Sequence, residues 1–98
     1  LAAACFHLLG LSDPPDWVNV GVGEDVTILE LATLVAETVG FTGEILTDPT
    51  KPDGTPRKLM DVTKLKGTGW APAIDFRDGL AGAYGDFLTS LEAGAARL

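Results

Sequence analysis

One capped helix in the first half of the chain constrains the fold more than any other feature. Thr27 is a favourable N-cap residue, and Glu30 follows three positions later, the spacing of a capping box. Ile28, Leu31, Ala32, Val35 and Val39 then recur at helical spacing and make one apolar stripe. Gly40 stands where a left-handed residue ends such a helix. The pattern predicts a helix over 28–39.

A second long helix is marked near the end of the chain. Asp75 is its cap, and Leu80, Ala83, Tyr84, Phe87, Leu88 and Leu91 form its apolar face. The small residues from Ala93 onward are expected to fray. Residues 1–9 also read as helical, until Asp13-Pro14-Pro15-Asp16 ends the run, because neither proline can donate a backbone hydrogen bond. Short strands are expected at 17–20 and 44–47, with a brief extended piece at 58–61 and one helical turn at 63–66. Residues 48–56, with three of the six prolines, read as a loop.

The fold class that follows is α/β, with short strands and two main helices. Its 98 residues make at most one domain. The strands are too few for a self-sufficient sheet, so the chain is expected to rely on neighbours outside it. It opens on Leu1, and its one methionine is Met60, which leads to the same expectation of a piece of a longer protein.

Charge narrows the partners. A net charge of −7 argues against a nucleic-acid-binding surface. No apolar run has the length of roughly 20 residues that a membrane span needs. The lone Cys5 makes no disulfide framework and no cysteine-rich metal site, which suits a cytoplasmic setting. Five of the seven basic residues (Lys51, Arg57, Lys58, Lys64 and Lys66) nevertheless fall within sixteen positions, opposed there only by Asp53 and Asp61. An anionic ligand is expected at this segment.

Three other features invite chemistry and do not support it. Gly21-Val22-Gly23 lacks the third glycine of a dinucleotide-binding turn, since Val26 holds that place, and Glu24 and Asp25 would repel a phosphate. Tyr84 has leucine, not lysine, four positions on, and belongs to an apolar stripe. Cys5 and His7 are too few for a structural zinc site and have no third group to orient them. No catalytic, cofactor-binding or metal-binding residue is expected in this chain.

The segment 51–59 differs. It is polar, stiffened by Pro52 and Pro56 and bent at Gly54. Arg57 offers a planar fork for phosphate oxygens, Lys58 a mobile charge, and Asp53 an acceptor for sugar hydroxyls. These groups suit a polyanion carrying hydroxyls, such as a nucleotide sugar; a solvated charged loop is the competing reading.

The string K-P-D-G-T-P-R-K-L-M-D-V-T-K-L over 51–65 resembles the signature near the C-terminus of GDP-L-fucose synthases, which are extended short-chain dehydrogenases. Val18-Asn19-Val20-Gly21, Glu30-Leu31-Ala32, Gly69-Trp70, Gly79-Leu80 and Ala2-Ala3-Ala4-Cys5 agree with it in one register, from Leu1 to about Leu88. The resemblance implies that residues 1–98 are a C-terminal substrate-binding fragment, without the N-terminal Rossmann domain that binds NADP. It implies a parent enzyme that epimerises and reduces GDP-4-keto-6-deoxy-D-mannose to GDP-L-fucose, and that works as a homodimer. Asp53 matches the family's substrate-binding aspartate, and Arg57 and Lys58 match the basic pair after it. The family's G-x-x-G-x-x-G and Tyr-x-x-x-Lys are absent, and Cys5 and His7 do not correspond to its epimerising pair, so the fragment alone is expected to be inactive. A fragment of another nucleotide-sugar epimerase or dehydratase, or a stand-alone module binding an anionic ligand, are the alternatives.

Overall fold

The computed structural model describes residues 1–95. Its elements are four helices: α1 (Ala2–Leu9), α2 (Ile28–Val39), α3 (Thr63–Gly67) and α4 (Phe76–Glu92). They fall into two compact units. One joins Leu1–Asp25 to Pro52–Ala73, and the other joins Val26–Lys51 to the residues from Ile74 onward.

The first unit holds the three buried apolar side chains found among the described residues: Ala4 of α1, Leu65 of α3, and Val62 just before α3. Helix α1 ends at Gly10, whose N–H reaches the His7 carbonyl at 3.1 Å. Helix α3 is set by Asp61, whose side chain accepts the Thr63 backbone N–H at 2.9 Å. Aspartate at this spacing offers the backbone a turn of its own, which starts the helix.

Between these helices two stretches run antiparallel. The Asn19 amide donates to the Asp61 carbonyl at 3.2 Å. Gly21 lies against Met60 and Val62, and Gly23 against Val62. The Lys64 ammonium sits 3.5 Å from the centre of the Trp17 ring and donates to the Trp17 carbonyl at 3.4 Å.

Here the α/β expectation is corrected. No strand forms among the described residues, and 17–20, 44–47 and 58–61 are irregular. The reason is pairing. A strand exists only through ladder hydrogen bonds to a neighbour, and no backbone bond joins 17–20 to 58–61, which touch through side chains instead. β-Propensity in Trp17, Val18 and Val20 favours an extended chain but supplies no partner.

The second unit is built from α2 packed on α4. Helix α2 has the expected bounds and the full capping box: Thr27 Oγ1 accepts the Glu30 N–H at 3.1 Å, and Glu30 Oε2 accepts the Thr27 N–H at 2.7 Å. That backbone bond from Thr27 also holds the Glu30 carboxyl below the usual glutamate range. Gly40 ends the helix at φ 72°, and Phe41 N–H bonds the Ala36 carbonyl at 2.8 Å. Asp75 caps α4 by accepting the Arg77 N–H at 2.9 Å, and Arg77 in turn pairs with Glu37 of α2 at 2.8 Å.

The tail departs from the fraying expected of it as far as Ala95. Gly94 takes φ 68°, and Ala95 N–H reaches the Ser90 carbonyl at 2.9 Å, closing α4 as Gly40 closes α2. The rest of that expectation, at 96–98, lies outside the described residues. The two apolar stripes are only partly covered. Leu31, Ala32, Leu80 and Tyr84 are half-buried, while Ile28, Val35, Val39, Phe87, Leu88 and Leu91 are exposed. Twenty large apolar side chains are exposed among the described residues against three buried apolar ones, far from the balance of a self-sufficient core.

Candidate functional site

Of the segment expected to bind an anion, Asp53, Arg57 and Lys58 lie on one exposed run of the first unit. Arg57 is the one of them that forms an ion pair among the described residues. Its Nε donates to Asp25 Oδ2 at 2.7 Å and its Nη2 to Asp25 Oδ1 at 3.1 Å, a two-bond fork between residues 32 positions apart. Such a planar match is open to arginine and not to lysine. The hydrogen bond from Arg57, aided by its charge, holds the Asp25 carboxyl below the usual aspartate range. The same bond raises the guanidinium further above its ordinary value.

Lys58, the next residue, lines a small open cavity of about 120 Å³. The 21–25 stretch forms one side of it, and Lys58, Leu59 and Met60 form the other. Glu24 and Asp25 share this lining, which the sequence reading took as hostile to phosphate. Pairing with Arg57 offsets the Asp25 charge, and Lys58 shares the lining with Glu24, so these four groups sum to zero and the repulsion of a phosphate by the two carboxylates is balanced. Asp53 is exposed between Pro52 and Gly54 and does not line this cavity. Neither Asp53 nor Lys58 forms an ion pair among the described residues. The structure therefore brings Arg57 and Lys58 against the 21–25 stretch and keeps Asp53 apart from that cavity.

The double-glycine turn has a packing role. Gly23 adopts φ +87°, and a Cβ there would lie 2.7 Å from a methyl of buried Val62. Its missing side chain lets the 21–25 stretch approach Val62. Tyr84 is half-buried on α4, as a packed tyrosine should be. Cys5 is exposed, and His7 is engaged with Thr68. Among the described residues no group of three or more His, Cys, Asp or Glu side chains could hold a metal ion. No helix there is long and apolar enough to cross a membrane.

Two features escaped the sequence reading. Asp25 had no local signal, because nothing in its neighbourhood names a partner 32 positions away. Trp17, Asn19, Asp61, Thr63 and Lys64 surround an open cavity of about 340 Å³. The sequence had named Lys64 in the basic cluster and the helical turn at 63–66, but nothing that joins them to Trp17 and Asn19.

No family model matches the chain. GDP-L-fucose synthase 1 of Arabidopsis thaliana is 52% identical to it over 91 residues, which is 93% of this chain and 28% of that protein. GDP-L-fucose synthase of Escherichia coli (strain K12) is 44% identical over 98 residues, covering 90% of this chain and 30% of that protein. GDP-L-colitose synthase of Yersinia pseudotuberculosis is 39% identical over 67 residues, or 68% of this chain and 22% of that protein. The chain thus spans less than a third of the length of these relatives. At this identity over nine-tenths of its length, the chain belongs to the GDP-L-fucose synthase family, over the segment of such a protein that it spans.

Proposed function

We propose that this chain is the C-terminal, substrate-binding segment of an NADP-dependent enzyme that epimerises and reduces GDP-4-keto-6-deoxy-D-mannose to GDP-L-fucose. The observation that carries this reading is the 52% identity to a GDP-L-fucose synthase across 93% of the chain. In this role Arg57 and Lys58 meet the anionic part of the GDP-sugar, and Asp53 accepts hydrogen bonds from it. An exposed run with two adjacent cations and a nearby acceptor has the chemistry for that ligand.

The reading places NADP and the reacting groups in a Rossmann portion outside this chain, and the protein in the cytoplasm as a homodimer. It also accounts for the surface. The irregular 17–20 and 44–47 stretches would gain strand partners from that portion, and the exposed apolar faces of α2 and α4 would be covered.

The test is to give the intact protein GDP-4-keto-6-deoxy-D-mannose with NADPH and identify the product by NMR. GDP-L-fucose formation is expected, and its absence would sink the reading. Asp53→Ala should raise KM for the GDP-sugar about tenfold or more, since a hydrogen bond to a charged group contributes about 1.5–3 kcal/mol. NADPH affinity should hardly change. The similarity to a GDP-L-colitose synthase supports a second reading, in which the parent makes that product instead. Colitose lacks the 3-hydroxyl, so the same NMR assay, run beside one with the 3-deoxy form of the substrate, separates the two by which substrate is turned over.

A further inference from the structure

Arg57 is held by one edge only. A guanidinium has five N–H donors in a fixed plane. Two of them, on Nε and Nη2, are taken by the Asp25 carboxylate. The remaining three have no partner among the described residues, and the side chain is two-thirds exposed. The edge opposite Asp25 is thus both open and fixed in direction.

Asp25 is itself well placed to do the fixing. Its 21–25 stretch is anchored on buried Val62 through Gly23, and just before that stretch the Asn19 amide donates to the Asp61 carbonyl. A carboxylate on a loose loop would only follow the arginine; one on an anchored stretch sets where the arginine points.

We propose that Asp25 is a positioning residue for the GDP-sugar: it grips one edge of Arg57 and sets the other for a phosphate oxygen of the diphosphate. The inference rests on the reading of Arg57 as a substrate contact and adds the residue that orients it. Arginine has much rotamer freedom to lose when it binds. A guanidinium already held in its plane loses less of it on meeting the ligand. Asp25 also carries a charge that repels a diphosphate, but across the width of the guanidinium and at an exposed site this repulsion is screened. The contact geometry is not. Lys58, on the cavity lining beside Asp25, adds a cation that no carboxylate pairs among the described residues.

The experiment uses the intact synthase carrying this segment, with Asp25→Asn, Asp25→Glu, Arg57→Ala and the Asp25→Asn/Arg57→Ala double variant. Steady-state kinetics in GDP-sugar and in NADPH, competitive inhibition by GDP, and the melting temperature are measured for each. Asp25→Asn should raise KM for the GDP-sugar roughly three- to tenfold and weaken GDP inhibition by the same factor, while kcat and KM for NADPH stay put and the melting temperature falls no further than in Arg57→Ala. Asp25→Glu, which keeps a carboxylate, should recover part of the loss. The double variant should be no worse than Arg57→Ala.

A lower KM in Asp25→Asn would overturn the proposal, because Asp25 would then compete with the substrate for Arg57. So would an equal KM increase from Asp25→Asn with and without Arg57, or a loss that tracks melting temperature. If Arg57→Ala raises KM and Asp25→Asn does not, only this inference fails. If Arg57→Ala leaves KM unchanged, the assignment of Arg57 as a substrate contact fails, and the inference with it.

Discussion

His7 and Thr68, 61 positions apart, meet through a single ring nitrogen. His7 Nε2 lies 3.0 Å from the Thr68 carbonyl oxygen and 3.1 Å from its hydroxyl. A carbonyl can only accept, so Nε2 carries the proton. The Thr68 hydroxyl donates to the Leu65 carbonyl at 2.7 Å and is therefore free to accept from the imidazole. The link fastens α1 to the end of α3 and gives the one histidine a structural role. His7→Ala should destabilise this unit by about 1 kcal/mol, the typical net worth of a hydrogen bond, with His7→Gln losing less. Urea unfolding of the two variants measures it.

The Asp25–Arg57 fork should be visible as a pH dependence. Hydrogen bonding by Arg57 favours the ionised carboxyl, so Asp25 protonates only below the ordinary aspartate range. Its contribution to stability is therefore fully present above the pKa of the unfolded side chain, and it is lost as pH falls through the lower folded value. A carboxyl carbon NMR titration should give Asp25 a lower midpoint in the parent sequence than in Arg57→Ala. Equal midpoints would mean that the fork does not persist in solution.

Gly23 tests the close approach of the 21–25 stretch. Gly23→Ala meets both a positive φ and the Val62 methyl group 2.7 Å from the new Cβ. The left-handed backbone alone costs about 1–2 kcal/mol for a residue with a side chain. Adding Val62→Ala should relieve the clash and leave the backbone term, so the double variant should recover part of the stability that simple addition of two losses predicts. Strict additivity in denaturant unfolding would show that the methyl group does not press on this position.

The cap of α2 is independent of both. Thr27→Ala removes the hydroxyl that receives the Glu30 N–H, and a cost of about 1 kcal/mol is expected, with Thr27→Asp nearly neutral. Circular dichroism during urea unfolding reports it. Equal stability of the alanine variant would mean that the packing of α2 on α4 makes the cap redundant.

The helices were legible because their signals are local. Thr27, Glu30 and Gly40 lie within one element and meet its own backbone, so residue type and spacing decide the outcome. Asp75, the cap of α4, is of the same kind. The strands were misread for the converse reason. Trp17, Val18 and Val20 suit an extended chain, but a ladder depends on a partner backbone, which a propensity cannot see.

By itself, then, the sequence determined where the helices begin and end, and it placed Asp53, Arg57 and Lys58 in one charged run whose motif resembles a single enzyme family. Only the tertiary structure decided that Arg57 is gripped by Asp25, that Gly23 serves Val62 and that His7 is bound to Thr68. Each of these joins residues far apart in the chain: water serves the polar partners as well before folding, and an apolar side chain such as Val62 accepts any apolar cover, so neither partner's own neighbourhood names the other.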